Sequence, residues 1–175
     1  MRRSAIVLVP MVVCSVFLNA QSTPSASDPI LGSWKENVAK STYSPGPPPP
    51  AFVTQVRQYR ADDEGSIRYV LVSSNPPGNS TFQASVFKVD GKQYPVYNTP
   101  ATFTLLTTGK PTNVTRSYRR IDQYTVEFIT FTGGVPGLPT LRVISQDGKS
   151  YTDTTTGKNQ QGQAIHNVVV FDRVQ

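Results

Sequence analysis

Gly32-Ser33-Trp34 carries the only tryptophan of the 175-residue chain and heads the first segment with strand character, Ile30 to Glu36. What precedes it reads as a leader. Met1-Arg2-Arg3 is a short cationic start, Ala5 to Leu18 is an apolar run, and Leu18-Asn19-Ala20 closes it, the layout of a secretory signal peptide cut after Ala20. The apolar run falls short of the roughly 20 residues a bilayer-spanning helix needs and is interrupted by Pro10. No permanent membrane span is expected. Met11-Val12-Val13, ahead of Cys14, lacks the small residue that precedes a lipidated cysteine. Residues 1–20 are therefore read as the signal peptide, 21–28 as a Ser/Thr/Pro-rich disordered spacer, and 29–175 as one domain. A secreted or periplasmic location follows, in which the processed chain has no cysteine for disulfides, thiol chemistry or thiolate metal ligands.

Downstream of Trp34 the chain has an all-β rhythm. Ser44-Pro45-Gly46-Pro47-Pro48-Pro49-Pro50 can join neither a helix nor a central strand. It reads as a stiff connector across one end of the fold, or alternatively as a lid or docking segment. From Val53 onward, Val, Ile, Thr, Tyr and Phe cluster in short segments separated by Gly, Pro, Asn and Asp. The expected strands are Val53 to Ala61, Ser66 to Ser73, Thr81 to Val89, Thr102 to Leu106, Val114 to Ile121, Thr125 to Thr132, Leu138 to Ser145, Ser150 to Thr156 and Ala164 to Val174. The best helical window, Trp34 to Ser41, gives at most a turn or two. About 8–10 strands in one open sheet would expose two edges, and closure removes them, so the expected fold is an antiparallel up-and-down β-barrel. Asp90-Gly91 and Asp147-Gly148 both read as two-residue type I′ hairpin turns. Ile67, Tyr69 and Leu71 share one face. Phe82, Ala84 and Val86 alternate cleanly before Phe87 and Val89 change parity, which suggests a bulge near Val86-Phe87.

These residues resemble the calycin superfamily, the lipocalins and fatty-acid-binding proteins, whose barrels begin with Gly-x-Trp and often end with an Arg laid over that Trp. The corresponding positions are Gly32, Trp34 and Arg173. The resemblance implies a lipocalin-like barrel with these three as structural floor residues. Asp28 to Lys35, with Asn37, Lys40-Ser41, Ser44 to Pro47, Asp147-Gly148-Lys149 and the Gln163 to Phe171 tail, also resembles a set of uncharacterised exported bacterial proteins. The chain differs from secreted lipocalins in having no disulfide. It differs from fatty-acid-binding proteins in carrying Phe171-Asp172-Arg173 where they carry Arg-x-Tyr.

Arg-x-Tyr stands elsewhere, at Arg57-Gln58-Tyr59 and Arg116-Ser117-Tyr118. Residues two apart on a strand share a face, so inside a barrel each pair would offer a guanidinium and a phenol to a carboxylate or phosphate. Pointing outward they are solvated surface, and the rarity of unpaired buried charge favours that arrangement. His166, the only histidine, has no metal-type partner within a strand period, and no metal site or cofactor is expected. Asp62-Asp63-Glu64-Gly65 reads as a hairpin turn, its spacing matching no established calcium loop. There is no Gly-x-Ser-x-Gly elbow, His pair or phosphate-binding glycine loop, and nothing in spacing selects a pair such as Glu127 and Asp153, so catalysis is not expected. The formal charge of +6 is dispersed, and Arg116, Tyr118, Arg119 and Arg120 form no extended stripe, so no nucleic-acid partner is expected. Asn79 and Asn113 have the form of glycosylation acceptors. The functional expectation is an exported barrel binding a small, largely apolar ligand through Arg57, Tyr59, Arg116 and Tyr118. The alternative is a structural or envelope-interaction module whose lumen is filled by Trp34, Phe82, Phe128, Phe131 and Phe171.

Overall fold

β-Branched and aromatic residues alternating with polar ones build twelve strands in the computed structural model, which describes residues 28–47, 54–75, 79–98 and 113–174. The leader, the spacer before Asp28, the end of the proline stretch, the expected strand Thr102 to Leu106 and the side chain of Asn79 lie outside the described residues. The strands are β1 (Gly32–Glu36), β2 (Thr54–Ala61), β3 (Ile67–Asn75), β4 (Asn79–Phe87), β5 (Asp90–Pro95), β6 (Tyr97–Asn98), β7 (Val114–Arg120), β8 (Thr125–Thr132), β9 (Val135–Pro136), β10 (Thr140–Ile144), β11 (Ser150–Lys158) and β12 (Ala164–Val174). The helical content among the described residues is two single 3-10 turns, Val38–Lys40 and Asp63–Gly65.

All twelve strands belong to one antiparallel sheet in the order β5-β7-β8-β10-β11-β12-β1-β2-β3-β4-β6, with β9 paired to β8. Setting aside the short strands β5, β6 and β9, sheet neighbours are chain neighbours, and β12 returns beside β1: an up-and-down meander. The two ends of the sheet, β5 and β6, are consecutive in the chain and flank Val96. β5 pairs with β7 and β6 with β4, so this segment bends across the gap and nearly closes the barrel. The Val96 amide donates to Val114 O at 2.9 Å and the Ser85 hydroxyl to Pro95 O at 2.7 Å, which holds the bend. The count exceeds the expected one because residues 90–98 divide into two strands and β9 is appended outside the meander.

Several local expectations are corrected. Asp90-Gly91 is not a hairpin turn. It lies inside β5, which does not pair with β4, and Gly91 at φ +80° begins the irregularity between Asp90 and Gln93. β10 and β11 do form a hairpin, but its turn runs from Ser145 to Ser150, with Gly148 N–H donating to Ser145 O at 2.9 Å and Gly148 alone at positive φ. A type I′ turn would need Asp147 there as well. The β3–β4 ladder is unbroken from Ile67↔Phe87 to Asn75↔Asn79, so no bulge falls at Val86-Phe87. The inward residues of β4 are Thr81, Gln83, Ser85 and Phe87, which face Ser73, Leu71, Tyr69 and Ile67. Phe82 and Val86, 38% and 46% exposed, point outward, as does Phe131 by its register with Thr115.

One end of the barrel is filled. Trp34 is fully buried, its indole N–H donates to Ile30 O at 2.8 Å, and its edge meets Tyr151 at 4.9 Å. Arg173 lies over the indole at 4.1 Å and donates to Pro29 O, Leu31 O and Gly148 O, tying the chain before β1 to the β10–β11 turn. Arg120 binds Asp28 across the same floor. Gly32, at φ +133°, leaves the space that the Arg173 guanidinium occupies. Phe87 stacks on Tyr118 at 3.8 Å, Tyr151 on Phe171 at 4.7 Å, and Ile67 and Ile144 complete the packing.

Candidate functional site

Arg57 and Tyr59 of β2, and Arg116 and Tyr118 of β7, all face the interior, contrary to the outward arrangement that their charge favoured in the sequence. Register explains it. Arg57 sits opposite Trp34 and Leu71, and Tyr118 sits opposite Phe128, so each Arg-x-Tyr lies on the apolar phase of its strand. Burial of charge is tolerated because a carboxylate and a third arginine, neither singled out by motif, complete the layer. Arg142 of β10 holds Asp153 of β11 through two 2.7 Å hydrogen bonds, and Arg57 reaches the same carboxylate at 2.8 Å. Arg142 and Asp153 are each 5% exposed.

The aromatic side chains wrap this network. Arg142 lies 4.6 Å from the Tyr151 ring centroid and 5.1 Å from that of Phe128, and Arg57 lies 4.1 Å over Phe171. Such contacts are worth about 2 kcal/mol or more when desolvated. Arg142 also donates to the Tyr59 hydroxyl at 2.7 Å, and Arg57 to Tyr151 Oη at 3.3 Å and Gln55 Oε1 at 2.9 Å. Burial raises the Asp153 pKa, but Arg142 and Arg57 outweigh it and hold the carboxyl below its ordinary value. Burial works against the charge on Arg142, yet Asp153, Tyr59 and Tyr151 keep its pKa well above the ordinary value. The layer is charged throughout the physiological range.

Arg116 differs from the other two. Its Nε donates to Thr130 Oγ1 at 2.9 Å and its Nη1 to Tyr118 Oη at 3.4 Å, and its guanidinium lies 5.3 Å from the Phe128 centroid and 5.9 Å from that of Tyr69. Among the described residues no carboxylate forms an ion pair with it. Burial opposes its charge, and the hydroxyls of Tyr118, Tyr69 and Tyr59 outweigh that effect and raise its pKa. The second inward carboxylate of this region, Glu36, accepts from the Tyr43 hydroxyl.

The tyrosines extend the imbalance. Tyr59, Tyr118 and Tyr151 accept hydrogen bonds from arginines, and Tyr69, 2% exposed, has no hydrogen-bond partner among the described residues. No acceptor among those residues takes the hydroxyl proton of any of the four. Among the described residues these hydroxyl protons are thus left without an acceptor, and a buried unpaired polar group costs about 1–3 kcal/mol.

Directly above, Gln55, Leu71, Ser73, Thr81, Phe82, Gln83 and Asn98 line a cavity of about 320 Å³. Gln55 joins the two regions, since it lines the cavity and receives the Arg57 hydrogen bond. Leu71 is the next inward residue after Tyr69 on β3. The volume is at the lower end of the roughly 300–1,000 Å³ of small-molecule sites.

The remaining expected residues lie elsewhere. His166 is exposed on β12, with Nδ1 3.1 Å from Thr156 Oγ1. Glu127 is on the outer face paired to Arg119, so it and Asp153 do not meet. Arg119 and Arg120 are engaged by Glu127 and Asp28 while Arg116 and Tyr118 are inside, so the Arg116 to Arg120 run presents no continuous basic and aromatic surface. Asp62 pairs with Arg68 beside the turn that joins β2 and β3. Among the described residues no cluster of His, Cys, Asp and Glu could hold a metal, and no helix is long and apolar enough to cross a membrane. Compared with known proteins, the chain matches no family model and no curated sequence.

Proposed function

We propose that the protein is a non-catalytic binding barrel that carries a small organic anion inside its lumen, with the acidic group at Arg116 and the hydroxyls of Tyr69 and Tyr118. The observation that carries this reading is the inward charge of Arg116, which forms no ion pair among the described residues, beside the hydroxyls of Tyr69 and Tyr118, whose protons have no acceptor among those residues. The occupant differs from the largely apolar ligand expected from the sequence in its acidic group, because the lower barrel is already packed with aromatic rings and the inward arginine Arg116 has no carboxylate partner among the described residues. Binding without turnover fits the carboxylates: Asp153 and Glu36 are both engaged by donors, which leaves no idle general base among the inward residues described. A lipocalin-like ancestry is part of the proposal, supported by Gly32, Trp34 and Arg173 at the floor. So is a secreted or periplasmic location, supported by the leader-like residues 1–20.

The rival role, a structural module with a filled lumen, is favoured by the packing of Trp34, Tyr69, Tyr151 and Phe171. Native mass spectrometry of the protein with benzoate, citrate, gluconate and hexanoate separates the two. The expected result is a one-to-one adduct with at least one acid that disappears in Arg116→Met. No adduct, or an adduct kept by the variant, overturns the anion site and favours the filled barrel.

A further inference from the structure

Every Asp and Glu of the sequence, 11 in all, lies among the described residues, and none forms an ion pair with Arg116. Inside the barrel Asp153 is shared by Arg142 and Arg57, and Glu36 accepts from Tyr43. Three arginines thus face two carboxylates in the middle of the barrel, and the excess positive charge falls at Arg116. Resting on the anion site above, we propose that this site takes an acid bearing a single negative charge, a carboxylate or a sulfonate, and rejects doubly charged groups such as phosphate monoesters.

The donors left at the site suit one such group. Arg116 uses Nε on Thr130 at 2.9 Å and Nη1 on Tyr118 at 3.4 Å, while its Nη2 makes no hydrogen bond among the described residues. Beside it stand Tyr69, 2% exposed, whose hydroxyl has no hydrogen-bond partner among those residues, and Tyr118, whose hydroxyl proton has no acceptor there. A carboxylate brings two oxygens with about four lone-pair sites, an acceptor-only group for a set of donors. A second negative charge meets no second free cation. Arg57 and Arg142 are already held by Asp153, and an ion buried without a counter-charge is strongly disfavoured. A phosphate monoester carries about −1.5 to −2 at pH 7, so it brings into the layer a charge that nothing there offsets. A neutral group leaves Arg116 without an ion pair.

Isothermal titration of the purified protein with benzoate, benzenesulfonate, phenyl phosphate and benzamide, at about pH 5.5 and about pH 8, tests this. With a second pKa of about 6, phenyl phosphate is about three-quarters monoanion at the lower pH and about 1% at the higher, whereas benzoate keeps its one charge at both. The groups around Arg116 do not titrate in that range. Burial raises Tyr69, Tyr94 and Tyr118, and Asp153, which burial also pushes up, is held below its ordinary value by Arg142 and Arg57. His166 lies exposed on β12. Benzoate and benzenesulfonate are expected to bind within about threefold of the same affinity at both pH values, and phenyl phosphate to lose at least tenfold between them. A smaller loss for phenyl phosphate, or rejection of benzenesulfonate, overturns the single-charge inference and leaves the anion site standing. Benzamide matching benzoate, benzoate binding kept by Arg116→Met that circular dichroism shows to be folded, or no saturable binding by any of the four overturns the anion site and this inference with it.

Discussion

Asp153 is the residue on which the buried charge depends. It accepts from both Arg142 and Arg57, so Asp153→Asn leaves two guanidiniums facing each other without counter-charge. Breaking a buried pair from one side costs about 3–5 kcal/mol, and urea denaturation of the variant is expected to show a loss of that size. The sign of the pH dependence follows. The folded-state pKa of Asp153 lies below its unfolded value, so its stabilising contribution is complete above about pH 4 and is lost as pH falls through the depressed folded value. The acid limb of the stability curve is expected to flatten in the variant. Tyr69 acts at the other extreme. Burial raises its pKa to about 12, so stability is complete below about pH 10 and is lost between there and about pH 12. Phenolate absorbance should show a class of tyrosines titrating above the free value, reduced in Tyr69→Phe.

Register and turn chemistry decide which of these residues meet, and here the sequence is legible in part. Alternation of Ile67, Tyr69 and Leu71 correctly marks the inner face of β3. On β4 the same pattern misleads. Phe82 and Val86 are apolar but outward, while Ser85 is inward because its hydroxyl is used by Pro95 O. The Arg-x-Tyr motifs are visible as pairs, but their direction depends on Asp153 and Arg142, whose contact comes from β10–β11 register and leaves no local trace. The bend from β5 to β6 is likewise unreadable, because both of its sheet partners are distant in sequence or unconnected by a hairpin. Ser85→Ala removes the bond that holds this bend and is expected to cost about 1 kcal/mol. Hydrogen exchange at the Val96 amide should accelerate in the variant while the β11–β12 ladder stays protected.

The barrel divides by function along its axis. Its floor is a structural plug, in which Gly32→Ala would force a Cβ into the Arg173 guanidinium at a φ of +133° that side chains rarely adopt. That variant is expected to lower the unfolding temperature without changing ligand preference in the protein that remains folded. In the middle layer Arg116 forms no ion pair among the described residues, and the proposed anion would supply one. Calorimetric unfolding of the wild type and of Arg116→Met, each with and without gluconate, separates a ligand-holding arginine from a structural one. Arg116→Met is expected to abolish the rise in unfolding temperature that gluconate should give the wild type, a rise of roughly 2–4 °C per kcal/mol for a chain of this length. A variant that gluconate still stabilises to the same degree as the wild type would contradict the assignment of Arg116 to an anion.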